Sequence, residues 1–197
     1  MLLNTLKQFN WLDIFILIVI FRICYIAIKG GFTTEFFKFL GTITAIYLSM
    51  HYCVLIVNLL MGWLPIDSKV SLKFIDSIVF VSLALLGYFL FVLLHNAFNN
   101  FVKIETVSAL NKWGGLILGG FRSVLLASLI SFTLVVSGIP YFKSSVKHSY
   151  LGQRLIFVAP NTYIWLWTSV FSKFIPSEKE GNIVVNINKE LVKDEAR

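Results

Sequence analysis

The chain has 197 residues, of which 57% are hydrophobic and 14% charged, with a formal net charge of +7 and a mean hydropathy of +0.81. Soluble domains carry about 25% charged residues, so the composition excludes a water-soluble globule and leaves room for one membrane bundle with short tails. The basic residues stand at the ends of apolar stretches (Lys29, Lys38, Lys73, Lys103, Lys112, Lys143, Lys147), where membrane lipids and not nucleic acid are the expected partners.

Four apolar stretches, at residues 9–28, 36–60, 74–94 and 115–139, each reach the length of about 20 residues that crosses a bilayer. Within them, residues 14–21 and 78–91 are apolar all round, with no polar face for water. The expected fold is an all-α integral membrane protein with four transmembrane helices and interfacial amphipathic helices after helices three and four. It divides into a four-helix transmembrane domain (1–140), an interfacial helical segment (141–175) and a charged tail (176–197).

The first stretch is too long for a signal peptide and is interrupted by Arg22. It is followed by Lys29-Gly30-Gly31-Phe32 instead of a cleavage site, so it reads as a retained helix. Asp13 stands at its start, where a carboxylate complements the helix dipole. Gly30-Gly31 supplies the turn into helix two, with Thr33 or Thr34 as its cap. Helix two carries small residues at Gly41, Ala45 and Ser49. A short connection holding Pro65 and Asp67 leads to helix three, which has Asp76 near its start.

Residues 95–112 alternate apolar positions (Ala97, Phe98, Phe101, Val102) with Asn99, Asn100, Lys103 and Glu105. That is the spacing of a short helix in the headgroup plane, with a solvated loop as the competing reading. Helix four repeats small residues every four positions: Gly115, Gly119, Ser123, Ala127, Ser131. Such ridges let two backbones approach closely. The ridge serves packing within the bundle, contact with a second copy or another membrane protein, or a ligand site. Beyond Pro140 the chain turns polar and basic, then apolar again over 155–171 with a break at Pro160-Asn161-Thr162. Interfacial helices are expected there, against a fifth span that would place freed backbone groups in hydrocarbon.

Cys24 and Cys53 lie in apolar stretches without metal-ligand spacing and read as fillers. Arg22, Glu35 and Arg122 fall at the same membrane face if four helices alternate. Glu35 is expected to pair with Arg22 or Arg122 and tie two helices together, against separate snorkelling of each charge. His51, His95 and His148 are far apart, and neither a His-Glu-x-x-His motif nor a Gly-x-Ser elbow occurs. The chain is therefore expected to be no enzyme and to need no cofactor or metal; an oligomeric channel or transporter subunit is the alternative. Lys and Arg near helix ends favour a cytoplasmic 1–2 and 3–4 side, which puts both termini outside the cytoplasm.

Three motifs in order resemble the CvpA (colicin V production protein) family of bacterial inner-membrane proteins. They are Asn10-Trp11-Leu12-Asp13 at the opening of helix one, Lys29-Gly30-Gly31-Phe32-Thr33-Thr34-Glu35 after it, and Asn111-Lys112-Trp113-Gly114-Gly115 running on to Gly119-Gly120-Phe121-Arg122. Ala27 and Ser123 stand where the family usually has glycine, and Arg22 is foreign to the pattern. The resemblance implies Asp13, Gly31, Glu35, Asn111 and Arg122 as family positions. It also implies an inner-membrane accessory role in toxin production or export and envelope homeostasis. Some relatives carry an extracytoplasmic serine protease after helix four, a domain not expected here.

Overall fold

A computed structural model describes residues 10–63, 69–101 and 108–174. Three long helices dominate: α1 (Trp11–Trp63), α2 (Lys69–Phe101) and α3 (Ser108–Val136). Each holds a segment long and apolar enough to cross a membrane. Four short helical pieces follow: α4 (Pro140–Lys147), α5 (Tyr150–Leu155), α6 (Val158–Leu166), and α7 (Ser172–Phe174), which is joined to α6 by a π-helical turn at Trp167–Phe171. Among the described residues there is no strand.

The expected break between helices one and two is a kink inside α1. Gly31 has φ 77° and ψ 172°, a region essentially reserved for glycine. It divides α1 into a first arm, residues 11–30, and a second arm, residues 32–63. Gly31 alone carries this conformation, since Gly30 stays helical. Ala27, four residues before the kink, and Glu35, four residues after it, both meet Gly119. The two arms therefore flank the same turn of α3.

Small residues set the approach distances. A Cβ on Gly115 would lie 2.7 Å from the Ala27 carbonyl oxygen, and one on Gly119 would collide with the Ala27 methyl. On the other side, a Cβ on Gly87 would lie 2.9 Å from the Ala45 backbone, and one on Gly41 3.0 Å from Phe91. The ridge of helix four thus faces the first arm, and that of helix two faces α2. The core between them holds Ile16, Ile46, Met50, Phe80 and Phe132, all buried. Between α2, α3 and Ala45 runs an apolar groove of about 370 Å³, open to the outside and lined by Val81, Leu85, Tyr88, Leu126 and Ile130.

Two expected surface segments differ from their sequence reading. Residues 95–101 prolong α2 and 108–112 open α3, so the described part of the 95–112 connection forms no separate helix; residues 102–107 lie outside the described residues. Of the segment after Val136, the part from Ile156 onward returns along the bundle instead of lying across its end. Ser128 Oγ accepts from the Ala159 N–H at 2.7 Å, about 12 Å along α3 from its last residue. Ala159, Pro160, Tyr163 and Trp167 are all buried. Pro160 sits in the first turn of α6, where its missing N–H leaves nothing unpaired. The charged tail expected at 176–197 lies outside the described residues.

Gly31 gives a direct test of the kink. Gly31→Ala would force a Cβ 2.5 Å from the Asn111 amide in a backbone region costing about 1–3 kcal/mol for other residues. A Cβ on Gly30 would meet only ordinary contacts at 3.5 Å and beyond. Thermal unfolding in detergent is expected to show a clear loss for Gly31→Ala and little change for Gly30→Ala.

Candidate functional site

At the kink end of the bundle, Glu35 is fully buried and Arg122 only 4% exposed. Arg122 Nη2 lies 3.0 Å from Glu35 Oε2. The angle is too poor for a hydrogen bond and Arg122 Nε has no partner, so the attraction is coulombic more than directional. Lys38 Nζ donates to Glu35 Oε1 at 3.1 Å from the next turn. Arg122 Nη1 donates to the Tyr88 hydroxyl at 3.4 Å, which brings α2 into the same group. One carboxylate therefore faces two cations, and the three long helices meet around it.

Asn111 stands beside Gly31 at the start of the second arm. Its Oδ1 accepts from the Phe32 N–H at 2.6 Å, capping the second arm from across the bundle. The sequence reading placed the cap on Thr33 or Thr34; a side chain 79 positions away in the chain supplies it instead. Of the two arginines considered for Glu35, the structure chooses Arg122. Arg22 is exposed on the outer face of the first arm.

A second polar tie closes the opposite end. Asp13 is fully buried. Its Oδ1 accepts from Ser149 Oγ and from the Leu151 N–H, each at 2.7 Å. Its Oδ2 accepts from the Asn10 N–H at 2.8 Å and the Tyr150 N–H at 3.3 Å. The carboxylate thus caps its own helix and the start of α5 together. Asn10 Nδ2 donates to the Ser145 carbonyl at 3.4 Å and Trp11 Nε1 to Ser145 Oγ at 3.3 Å, so Asn10, Trp11 and Asp13 together grip the segment after α3. The helix-start role read for Asp13 is one part of a longer-range contact. Nothing local in the sequence pointed to Ser145 or Ser149.

Aromatic packing holds the rest of that segment. The His51 ring lies between Tyr47, with centroids 5.3 Å apart, and Trp167 at 4.9 Å. The His51 Nδ1 and the Tyr163 hydroxyl are 3.0 Å apart, and Phe171 stacks on Tyr47 at 4.1 Å. The π-helical turn brings Trp167 and Phe171 onto this one surface of the second arm. His95 lies far from His51 and packs on Phe37.

The remaining ridge positions serve packing within the chain. Ser49, Ser123 and Ala127 are fully buried. Ser49 and Ser123 return their hydroxyls to their own helix, at the Ile46 and Gly120 carbonyls. Ala45 and Gly41 meet Gly87, Tyr88 and Phe91 of α2; Gly87 is the partner that the sequence reading missed, a single glycine without a repeat around it.

Long apolar helices closed at each end by a buried carboxylate define a multi-pass helical membrane protein whose polar interior groups tie the helices to one another. A family model described as colicin V production protein matches residues 12–176, and the chain belongs to that family. Comparison with curated proteins and with solved structures gives no match.

Removing one member of a buried ion pair strands the other charge and typically costs about 3–5 kcal/mol. Arg122→Leu and Glu35→Leu are each expected to lower membrane abundance sharply. The exchanged pair, Glu35→Arg with Arg122→Glu, is expected to recover a large part of it. Immunoblots of membrane fractions with matched transcription measure both.

Proposed function

We propose that this protein is a non-enzymatic membrane accessory for the production or export of a colicin V-type peptide toxin and for upkeep of the envelope. It acts through helix contacts in the cytoplasmic membrane. The observation that supports this most is the use of its buried polar groups. Asp13 is occupied by four donors from its own chain, and Glu35 by Arg122 and Lys38. Groups so engaged build an architecture and have little capacity left to turn over a substrate. The family description supplies the toxin context.

In this reading the chain crosses the bilayer four times, with the two arms of α1 as separate crossings. The meeting of Ala27 and Glu35 at one turn of α3 favours it. So does the length of α1, whose 53 residues would extend about 80 Å if straight, far beyond about 30 Å of hydrocarbon. Exposed aromatic residues fit two interfaces, with Trp113 near the kink and Trp11, Trp63 and Tyr141 at the other end. Asn10 and the start of the segment after Val136 then share the extracytoplasmic face.

Two measurements test the reading. In a chain with Cys24→Ala and Cys53→Ala, a membrane-impermeant maleimide applied to intact cells is expected to label Tyr141→Cys and spare Trp113→Cys. Equal labelling of both removes the topology. Substitutions at Asp13, Glu35 and Arg122 are expected to lower toxin output only in proportion to protein abundance. A variant with normal abundance and no output at any one of these positions would instead indicate an enzyme. Solute flux in liposomes holding this protein alone would favour the channel alternative.

A further inference from the structure

Arg22 is a charge that the bundle's interior leaves aside. The inner face of the first arm, at Leu12, Asp13, Ile16 and Ala27, is buried, whereas Arg22 is exposed on the outer face. Among the described residues it has no hydrogen bond or ion pair. It stands about 16 Å along the helix from Trp11 and about 14 Å from Gly31, near the middle of about 30 Å of hydrocarbon. A guanidinium held there without a counter-charge is costly.

Snorkelling fits this position poorly. The nearer end of the arm is the Gly31 end, but side chains on a helix tilt toward its N-terminus. The Arg22 stem therefore leans toward the farther face. The outer face also has a pattern. Phe15, Ile18, Arg22, Tyr25 and Lys29 are all exposed and recur at alternating spacings of three and four. That is the seven-residue repeat with which one helix lies along another.

A second copy of this chain does not complete the surface. Asp13 and Glu35 are fully buried and engaged internally. Asp76 lies one turn from Lys73, whose side chain packs beside Gly138, about two turns nearer that face than Arg22 is. Among the described residues, no available carboxylate lies at the depth of Arg22.

We propose that the outer face of the first arm docks a transmembrane helix of a different membrane protein, one that carries an Asp or Glu at mid-bilayer depth to meet Arg22. This rests on the accessory reading and names the kind of partner it calls for.

The test uses the full-length protein, donor-labelled and reconstituted in phosphatidylcholine bilayers. Acceptor-labelled polyleucine transmembrane peptides carry a central Asp, a central Asn or neither. Energy transfer is expected to show the Asp peptide associating about tenfold more strongly than the leucine-only peptide. Arg22→Lys keeps that preference and Arg22→Leu removes it. Equal association of the Asp and leucine-only peptides overturns the proposal, as does a preference that survives Arg22→Leu. Loss of the preference in bilayers rich in phosphatidylglycerol assigns Arg22 to lipid headgroups and also overturns it. Energy transfer between two copies that vanishes in Arg22→Leu makes the occupant a second copy, against the proposal. Thermal unfolding of the isolated protein in detergent is expected to be unchanged by Arg22→Leu; a lower Tm would reveal an internal role and overturn the assignment. None of these readings uses toxin output, so failure here leaves the accessory reading standing.

Discussion

Helices in a bilayer are not driven together by the hydrophobic effect, because lipid tails are as apolar as the side chains they would replace. What remains is contact between backbones and polar groups, and both depend on how near two helices can come. In this protein the limiting contact is between the first arm of α1 and α3, at Ala27 against Gly115 and Gly119. A larger residue at either glycine would push the arm outward. Glu35 lies within the same turn, 3.7 Å from where a Gly119 Cβ would stand. The approach that the glycines permit is therefore also what places the carboxylate beside Arg122.

The two polar ties stand at opposite ends of the bundle and answer the same constraint. A carboxylate taken from water is retained only if opposite charge or several donors meet it. Glu35 meets two cations, whereas Asp13 meets N–H and O–H donors alone. One tie gathers the three long helices and the other fastens the segment after α3 to the chain's beginning. Between them the contacts are mostly apolar, joined by polar contacts of Ser128 with Ala159 and of His51 with Tyr163.

Much of this was legible in the residues. Apolar runs longer than a bilayer's thickness fixed the solvent, and the four-residue ridge from Gly115 to Ala127 marked a close contact without naming its partner. Gly31 was visible as a turn because glycine pairs rarely occur in helix interiors without a purpose. Glu35 and Arg122 could be paired because charge is scarce in such a chain, although choosing Arg122 over Arg22 needed the helix rotation. Long-range contacts were hidden. Ser145 and Ser149 are ordinary residues in a polar stretch, and only the fold brings them to Asp13. The buried placement of Tyr163 and Trp167 was equally obscure, since aromatic residues in such a stretch are as often interfacial.

The tie at Asp13 has an implication for biosynthesis. Its donors at Ser149, Tyr150 and Leu151 are separated from it by 136 to 138 positions. At about 5–20 residues per second, the ribosome delivers them roughly 7–27 s after the carboxylate itself. Throughout that interval only the Asn10 N–H of its four donors exists, so the first arm cannot settle into its mature setting until Leu151 has been made.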